Sequence, residues 1–597
     1  MKNLKHVEVS FAADGIIGKT RDFIVNKQAL DRELWKDFVL QFKQKRDDKD
    51  LGWRGEYWGK VMRGAALLYE QTKNEELYSV LKETVEDLIS TQDEEGRITT
   101  YGLNKEFRGW DMWVRKYVML GLIAFLKICK GKELAKKIIG ALVAHADAII
   151  RKVGPRMQNK LPITETSEVW EGLNSSSVLE PFVLLYGLTG KTEYLGFSEY
   201  IIKEGGIKNG NIFRLAKEDI LNPSEYPVVK AYEMMSCFEG LLKYAEVTDN
   251  KDFFDTVVKF SRRVAAYELT VIGNAGCEGE LFDGAEMRQS LDYPDNHIMQ
   301  ETCVAVTWMK LCGKLLTATN DPVYADYIET SFFNAFLGSV NTLEMKSRGN
   351  TADSGVLLPF DSYSPLSSGM RGNMTGGYRD LSKGRYYGCC AAIGSFAVGN
   401  LPYQVAFVSG DDVYVNMYSD CDIAIKDNGK EYKLKIRGGY PYLGEVDIKV
   451  VTEKPVNLSL KLRIPSWSVN AVVRYGNVKE YAEGGKYKVI TGVFSDGDNI
   501  RLSFDVSVKA EDVHGMTVLR AGPIVLARDA RLEKDVTSPS GIVIEEGKIT
   551  AQKRPDNVFE ANVTYELDVF GGKKITAVDY ASAGKTWDEK SKMAIKW

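Results

Sequence analysis

The sequence of 597 residues lacks the features of two common protein classes. Lysine and arginine are dispersed and the net charge is −4, which argues against a nucleic-acid-binding protein. No run of 18 apolar residues occurs, so we predict no membrane-spanning helix. Histidine is scarce, with four scattered copies, and a lone histidine is more often a packed or surface residue than a ligand. We therefore assign no histidine to a site.

A disulfide framework is also missing. The eight cysteines do not have the spacing of a small secreted scaffold, and the chain is long enough to fold without cross-links. Reduced thiols or metal ligands are the expected state. The first residues contain no apolar signal-peptide segment, so we expect a cytoplasmic protein unless an export signal has been removed.

What the chain does contain, from about residue 30 to 345, is helical periodicity with an internal repeat. A helix end, a threonine and a polar turn recur, and the threonines are Thr72, Thr189, Thr248 and Thr319. Their separations indicate a period near 60 residues, which corresponds to an αα-hairpin. Five or six hairpins fit before residue 400. We favour a closed α/α toroid over an open solenoid.

Beyond residue 400 the apolar residues alternate with polar ones, as in Leu458, Leu460, Leu462 and Ile464. This period is typical of half-buried β-strands and predicts one or two β-sandwich units. We divide the chain into a helical domain with a short N-terminal β segment (1–400), a β-sandwich (401–510) and a second β-rich domain (511–597). A stretch without periodicity, 346–388, precedes the second domain, and such stretches are often functional.

Four residues have the chemistry of a metal site. Glu301 and Cys303 open a predicted helix, and Cys389 and Cys390 follow the irregular stretch. Zinc takes four ligands, commonly thiolate, imidazole or carboxylate, although adjacent cysteines are not the usual spacing. The alternative is that these cysteines are small buried apolar residues.

Carboxylates are concentrated just upstream, between Glu278 and Asp295. Glycosidases need one carboxylic acid to protonate the leaving oxygen and a nucleophile or base across the bond. A solvated acidic loop is the alternative.

The order of four short motifs resembles the β-L-arabinofuranosidase family, glycoside hydrolase family 127. The motifs are Glu301-Thr-Cys303, Gly388-Cys-Cys390, Leu462-Arg-Ile-Pro-Ser-Trp467 and Arg520-Ala-Gly-Pro-Ile524. The resemblance implies an (α/α)6 barrel followed by β-sandwich domains. It also implies a zinc ion held by Glu301, Cys303, Cys389 and Cys390, with Cys389 as the nucleophile of a retaining mechanism.

The same resemblance implies a glutamate acid/base. Gly279-Glu280-Leu281-Phe282 matches the family's flanking pattern, so Glu280 is our first choice. Glu286 lies nearer the expected spacing from Glu301 but lacks that pattern, and is our second.

The chain departs from the family where barrel histidines hold the sugar, because histidine is absent from the three corresponding segments. We expect other residues to line the pocket, namely Trp110, Asp111, Arg115, Asn174, Lys230, Tyr232 and Glu233. Arg115 and Lys230 would suit a sugar bearing a carboxylate. Helix-surface charge is the alternative for each residue.

The resulting hypothesis is a zinc-dependent exo-acting glycoside hydrolase on plant-type glycans. Two alternatives stay open: a sugar isomerase, epimerase or lyase on an α/α toroid, and a carbohydrate-binding protein with a structural zinc. The expected partner is an oligosaccharide or glycoside, and a homodimer is left open.

Overall fold

The computed structural model describes residues 4–342, 360–372, 377–382, 384–545, 548–586 and 590–597. In this part of the chain, six helices form a closed inner ring in which each packs against the next and the last packs against the first. The first to sixth inner helices are Gly55–Thr72, Asp111–Ile128, Leu179–Thr189, Ala231–Thr248, Thr302–Thr319 and Cys389–Asn400. The predicted (α/α)6 barrel is therefore confirmed.

A second layer of helices surrounds this ring, each packed on an inner helix. These outer helices are Arg32–Gln44, Glu75–Ile89, Lys132–Lys152, Thr192–Glu204, Lys251–Tyr267 and Val323–Thr330. Further helices, Ile16–Ile24, Leu173–Ser176, Ile212–Glu218, Ala285–Arg288, Leu337–Ser339 and Pro402–Val405, connect or flank the two layers. Apolar residues buried between the layers form one continuous core.

The repeated threonines mark the ends of inner helices. Thr72, Thr189, Thr248 and Thr319 are each the last residue of their helix, and each hydroxyl donates to the carbonyl four residues earlier. The next residue in each case is left-handed and closes the helix. The sequence repeat therefore marks the positions where these inner helices end.

Two sheets follow the barrel, and the chain's first strands join them. The five-stranded sheet contains, in order, Lys5–His6, Ala406–Ser409, Asp412–Val415, Val456–Ile464 and Lys486–Phe494. The seven-stranded sheet contains, in order, Val478–Ala482, Ala471–Tyr475, Asn499–Ser503, Glu445–Thr452, Lys430–Arg437, Cys421–Asp427 and Glu8–Phe11. Burial alternates along most of these strands, as the sequence period predicted.

A third sheet holds the end of the chain. Its strands are Ile544–Glu545, Lys548–Ile549, Val508–Val513, Met516–Ala521, Ile524–Asp529, Lys573–Asp579, Thr564–Val569 and Ala551–Lys553, joined at one side by Lys592–Ala594 and Ser368–Met370. The last of these comes from the stretch 346–388 that precedes the sixth inner helix. Residues 346–359, 373–376 and 383 of that stretch lie outside the described residues.

Other described parts of that stretch form short strands near the mouth of the barrel. Tyr378–Ser382 and Arg385–Gly388 pair as a hairpin, and Tyr363–Pro365 joins Met299–Glu301 and Glu278–Gly279 in a small sheet. The two sheets lead directly into the helices that carry the cysteines. No described helix is long and apolar enough to cross a membrane.

Candidate active site

The four predicted ligand residues meet at the start of two inner helices. Glu301 ends a strand and occupies the position before the fifth inner helix, and Cys303 lies in that helix's first turn. Cys389 and Cys390 are the first two residues of the sixth inner helix. Because the inner helices lie side by side in the ring, their first turns converge on one point.

The donor atoms of these four residues all lie within 4.8 Å of one another. Glu301 Oε1 is 3.5 Å from Cys390 Sγ and 3.9 Å from Cys389 Sγ, and the two sulfurs are 3.8 Å apart. Glu301 Oε2 is buried and accepts no hydrogen bond from the described residues. This cluster therefore has the donor set and spacing to hold a metal ion.

The pKa shifts of the four donor residues indicate that the cluster would be stabilised by a bound cation. Burial raises the pKa of Cys303 and of Cys390 well above the usual value. Burial, followed by the Cys389 charge, raises the pKa of Glu301 to about 8. By contrast, the pKa of Cys389 is lowered well below its usual value, because the Cys303 and Cys390 thiols donate hydrogen bonds to it. Four anionic donors this deeply buried would repel one another without a neutralising cation.

Cys389 differs from its three neighbours in exposure, since it alone of the cluster is partly accessible. The Gly377 backbone passes directly over it, at a φ of +68°, and a Cβ at Gly377 would lie 2.3 Å from Cys389 Sγ. The Gly377 carbonyl accepts hydrogen bonds from Trp53 and Tyr57, at 3.0 Å each. Glycine is thus required where the loop approaches the thiol.

Two charged residues of the first inner helix border the cluster and were missed by the sequence analysis. Lys60 Nζ donates to Glu56 Oε1 at 2.9 Å and lies 3.9 Å from Cys303 Sγ. Burial raises the pKa of Glu56 to about 7. The ammonium also faces the rings of Tyr232 and Tyr117, at 4.6 and 5.3 Å. The available signal was the four-residue spacing of Glu56 and Lys60 inside a helix whose other residues are mostly apolar.

Three of the predicted substrate residues lie beside the cluster, on or just before the fourth inner helix. Tyr232 bonds through its hydroxyl to Tyr117 and packs edge-on against Trp113 at 5.1 Å. Glu233 is buried, its Oε2 has no hydrogen-bond partner among the described residues, and its charge contributes to the raised pKa of Glu301. Lys230 forms an ion pair with Glu280 and contributes to the lowered pKa of Cys389.

Glu280, the first-choice acid/base, is also held near the cluster. The Tyr363 hydroxyl donates to Glu280 Oε1 at 2.8 Å, and Tyr363 pairs with Glu301 in the small sheet. Glu286, the second choice, has its Oε1 at 2.7 Å from His514 Nε2, in the turn between two strands of the third sheet. Of the two, Glu280 is therefore the one brought together with the cluster.

The other predicted residues, from the start of the second inner helix and its neighbourhood, are engaged within the protein. Asp111 and Arg115 are fully buried and form an ion pair with each other, and Arg115 also pairs with Glu106 at 2.8 Å. Asn174 donates to the Gly109 carbonyl at 3.1 Å. Trp110 is partly exposed and packs edge-on against Trp53 and Trp113, so it is the member of this group with a free face.

Comparison with known proteins agrees with this architecture. Residues 7–347 match the family described as β-L-arabinofuranosidase, GH127 catalytic domain, and residues 412–506 match the GH127 middle domain. A solved GH127 β-arabinofuranosidase is similar over 99% of this chain and 97% of its own, with 17% identity and a TM-score of 0.74. A GH127 β-L-arabinofuranosidase from Geobacillus stearothermophilus T6 is similar over 99% of both chains, with 16% identity and a TM-score of 0.72. No curated protein matches the sequence.

The match of residues 7–347 to a glycoside hydrolase catalytic domain identifies this protein as a glycoside hydrolase, and the helical barrel with its thiol and carboxylate cluster agrees with that class. The catalytic-domain match covers more than half of the chain, and the chain belongs to the GH127 β-L-arabinofuranosidase family. The family resemblance noted in the motifs is thereby confirmed, as is the enzyme class. The isomerase, epimerase, lyase and binding-protein alternatives lose their support.

Proposed function

We propose that this enzyme is a zinc-dependent, retaining exo-glycoside hydrolase in which Cys389 is the nucleophile. Its substrate is a plant-type glycan ending in an arabinofuranose-like or acidic pentose. The observation that carries this proposal is that Cys389 alone of the four clustered residues is accessible. A nucleophile must reach the substrate, whereas a residue with only a ligand role can be enclosed.

Zinc fits the donor set of Glu301, Cys303, Cys389 and Cys390. Ligands at about 2.3 Å from a tetrahedral zinc are separated by roughly 3.8 Å, and the Cys389 and Cys390 sulfurs are 3.8 Å apart. Glu301 Oε2 is buried without a hydrogen-bond partner among the described residues, which supports a carboxylate bond to a metal ion at this position. When bound, zinc would keep the thiols ionised near neutral pH and lower the basicity of sulfur.

The roles of the chain's own residues follow from these contacts. Cys389 Sγ attacks the anomeric carbon while the bond to the glycosidic oxygen breaks, and that oxygen takes a proton from the acid/base. A water then attacks the same carbon, gives a proton to the acid/base, and the electron pair returns to sulfur. We assign the acid/base role to Glu280, since its contact Tyr363 adjoins Glu301 and since Glu286 lies beside His514 in a turn of the third sheet.

The sugar would be bound by groups that lie beside the cluster. We propose Trp110 as an apolar face and Tyr232, Glu233 and Lys230 as polar partners. Asp111, Arg115 and Asn174 are better regarded as supports, because all three are fully buried and their hydrogen bonds go to protein groups. The two cations whose charges act on Cys389 are Lys60 and Lys230, whereas the sequence analysis expected Arg115 and Lys230. A carboxylate on the sugar therefore remains part of the proposal.

We also propose that residues 1–400, 401–510 and 511–597 form the three domains, with the first strands completing the sheets of the second. All eight cysteines are free. A reducing compartment such as the cytoplasm would preserve the thiols needed for the cluster.

The decisive experiment combines metal analysis with hydrolysis assays. The purified enzyme is expected to contain one zinc per chain and to release a monosaccharide from an aryl β-L-arabinofuranoside or from arabinan and pectic oligosaccharides. Cys389→Ser should abolish release, by about a thousandfold or more, because an alkoxide is not available near neutral pH. Cys129→Ser is the matched control, since Cys129 is also partly accessible but lies at the end of the second inner helix.

Unchanged turnover by Cys389→Ser would refute the assignment of Cys389 as the nucleophile. Full activity of a protein without zinc would refute the requirement for the metal. Glu280→Gln and Glu286→Gln distinguish the two acid/base candidates: we expect the first to lose activity on substrates with poor leaving groups and the second to keep it.

A further inference from the structure

A cavity of about 550 Å³, here called the rear cavity, opens inside the barrel away from the thiol cluster. The cluster lies at the first turns of the fifth and sixth inner helices, whereas this cavity is lined mainly by later turns of the inner helices. All six inner helices contribute. Arg63 lies seven residues beyond Glu56 on the first inner helix, which corresponds to about 10 Å along the axis. The two sites therefore occupy opposite ends of one ring.

Arg63 is the group in this rear cavity that needs an explanation. It is 91% buried, since its relative exposure is 9%. Within the described residues its guanidinium makes no hydrogen bond or ion pair, and its nearest aromatic contact is the Phe396 ring at 4.8 Å. A guanidinium carries five donors, and none of the Arg63 nitrogens is fully enclosed by protein, so these donors are accessible from the cavity that Arg63 lines. The helix dipole does not account for this cation, because Arg63 lies nine residues before the helix ends.

The carboxylates that line the cavity are already engaged by other groups. Glu180 pairs with Lys314 at 2.5 Å, and Glu246 pairs with Lys243 at 3.0 Å. Glu70 accepts a hydrogen bond from the Tyr403 hydroxyl.

Two lining cations, Arg63 and Lys127, thus form no direct ion pair among the described residues, although, against the effect of burial, the charges of Glu180 and Glu239 raise the pKa of Arg63. Lys310, the remaining lysine of the lining, is paired with Glu239 at 2.6 Å. Lys127 lies in the last turn of its helix, where the dipole favours a cation. Arg63 is therefore the lining cation that has neither a direct ion pair among the described residues nor a helix end beside it.

The rest of the lining is largely aliphatic, with Leu67, Leu120, Ile123, Ala124, Leu184 and Leu242 around the cations. We propose that the rear cavity is a second ligand site, which binds a small organic carboxylate. Its carboxylate would accept two parallel hydrogen bonds from Arg63, and its apolar body would pack on the leucines. The volume is in the range of small-molecule sites, and a guanidinium matches a carboxylate in geometry.

Binding to the purified full-length enzyme can be measured by calorimetry with three probes: hexanoate, 1-hexanol and inorganic phosphate. Hexanoate is expected to bind, and more tightly than either the neutral or the purely polar probe. Arg63→Met should weaken hexanoate binding by about tenfold to a hundredfold, the effect of losing a charged hydrogen-bond pair. Arg474→Met, at an exposed arginine of the seven-stranded sheet, should leave binding unchanged.

A second variant covers the case in which Arg63→Met does not fold. Ala124→Phe fills the cavity without touching a charge and should also abolish hexanoate binding. Cys389→Ser should bind hexanoate like the wild type, because the thiol cluster is at the other end of the ring. The proposal is overturned if hexanoate does not bind, if 1-hexanol or phosphate binds as well, if Ala124→Phe retains binding, or if Cys389→Ser abolishes it.

Discussion

Lys116 is the residue whose environment conflicts most with its chemistry. It is fully buried on the second inner helix, and its Nζ has no hydrogen-bond partner among the described residues. The rings of Trp113 and Tyr117 lie 4.1 and 5.1 Å from the ammonium and give partial compensation. Burial, followed by repulsion from Lys310, lowers its pKa to about 7.

This environment predicts a pH-dependent gain in stability for Lys116→Met. The unfolded lysine keeps a pKa near 10.5, so the folded state binds fewer protons than the unfolded state between pH 7 and 10. In the wild type, the free-energy cost of burying the charged lysine is therefore fully present below pH 7, and the free energy of unfolding rises as the pH increases above 7. Removing the charge should raise the free energy of unfolding by about 4 kcal/mol at pH 7, and the gain should fall below about 1 kcal/mol near pH 10. Urea unfolding at pH 6, 7.5 and 9 measures it.

Lys136→Met is the matched control, since Lys136 is an exposed lysine of the outer helix Lys132–Lys152. It should change stability by less than about 0.5 kcal/mol at every pH. A gain for Lys116→Met that does not depend on pH would contradict the assigned cause.

Single residues could be predicted from the sequence where their role depends on neighbours in the chain, and not where it depends on the assembled ring. Glu301, Cys303, Cys389 and Cys390 were predicted together, because residues at helix starts can aim at one point and the motifs occurred in family order. Lys60 and Glu56 were missed, because a charged pair four residues apart normally lies on a solvated helix face. Only the closed ring turns that face toward the interior.

At the scale of elements, glycines set how closely the inner helices approach. A Cβ on Gly59 would lie 2.0 Å from the Tyr117 carbonyl oxygen, and one on Gly64 would lie 2.1 Å from Ser395 Oγ. Both glycines belong to the first inner helix, which is packed between the second and the sixth. The helical period predicted this helix, but it gave no indication that its glycines touch two neighbours.

The same substitution is therefore expected to have opposite effects in two helices. Gly59→Ala should lower the free energy of unfolding by about 2–3 kcal/mol, because the rigid backbone of the second inner helix would have to move. Gly140→Ala, in an outer helix where a Cβ would meet nothing within 4 Å, should raise it by about 0.5–1 kcal/mol. Chemical unfolding of both variants measures the difference. Equal effects would show that the close helix approach is not under packing constraint.

Helices were predictable where the sequence contains the threonine repeat, and helix ends and strand pairings were less predictable where it has no repeat. The helix-ending threonines located inner helices in sequence because each is bonded back to its own helix. The sixth inner helix lacks that ending, since Asn400 leads almost directly into Pro402–Val405. The pairing of Glu8–Phe11 with Cys421–Asp427 spans more than 400 residues, and no local pattern reports such a contact.

At the scale of the whole molecule, a buried ion-pair group joins the barrel to the sheets. Arg463 is fully buried on strand Val456–Ile464 and pairs with Asp326 and, at 2.7 Å, with Glu329 of the outer helix Val323–Thr330. The Tyr440 hydroxyl donates to Glu329 Oε1 at 2.7 Å. The motif around Arg463 that carried the family resemblance is thus a structural junction, distant in sequence from the thiol cluster.

Arg463→Met should disrupt this junction more than it disrupts either part. Burial raises the pKa of both Asp326 and Glu329, and the arginine opposes that rise. Without it, two carboxyls would be buried with no counter-charge, which costs about 3–5 kcal/mol. The triple variant Arg463→Met, Asp326→Asn, Glu329→Gln removes the stranded charges and should recover part of the loss. If Arg463→Met costs less than about 1 kcal/mol in chemical unfolding, the junction does not couple the barrel to the sheets. If the loss is large, unfolding followed by tryptophan fluorescence should separate into two transitions, because the sheets would no longer unfold together with the helices.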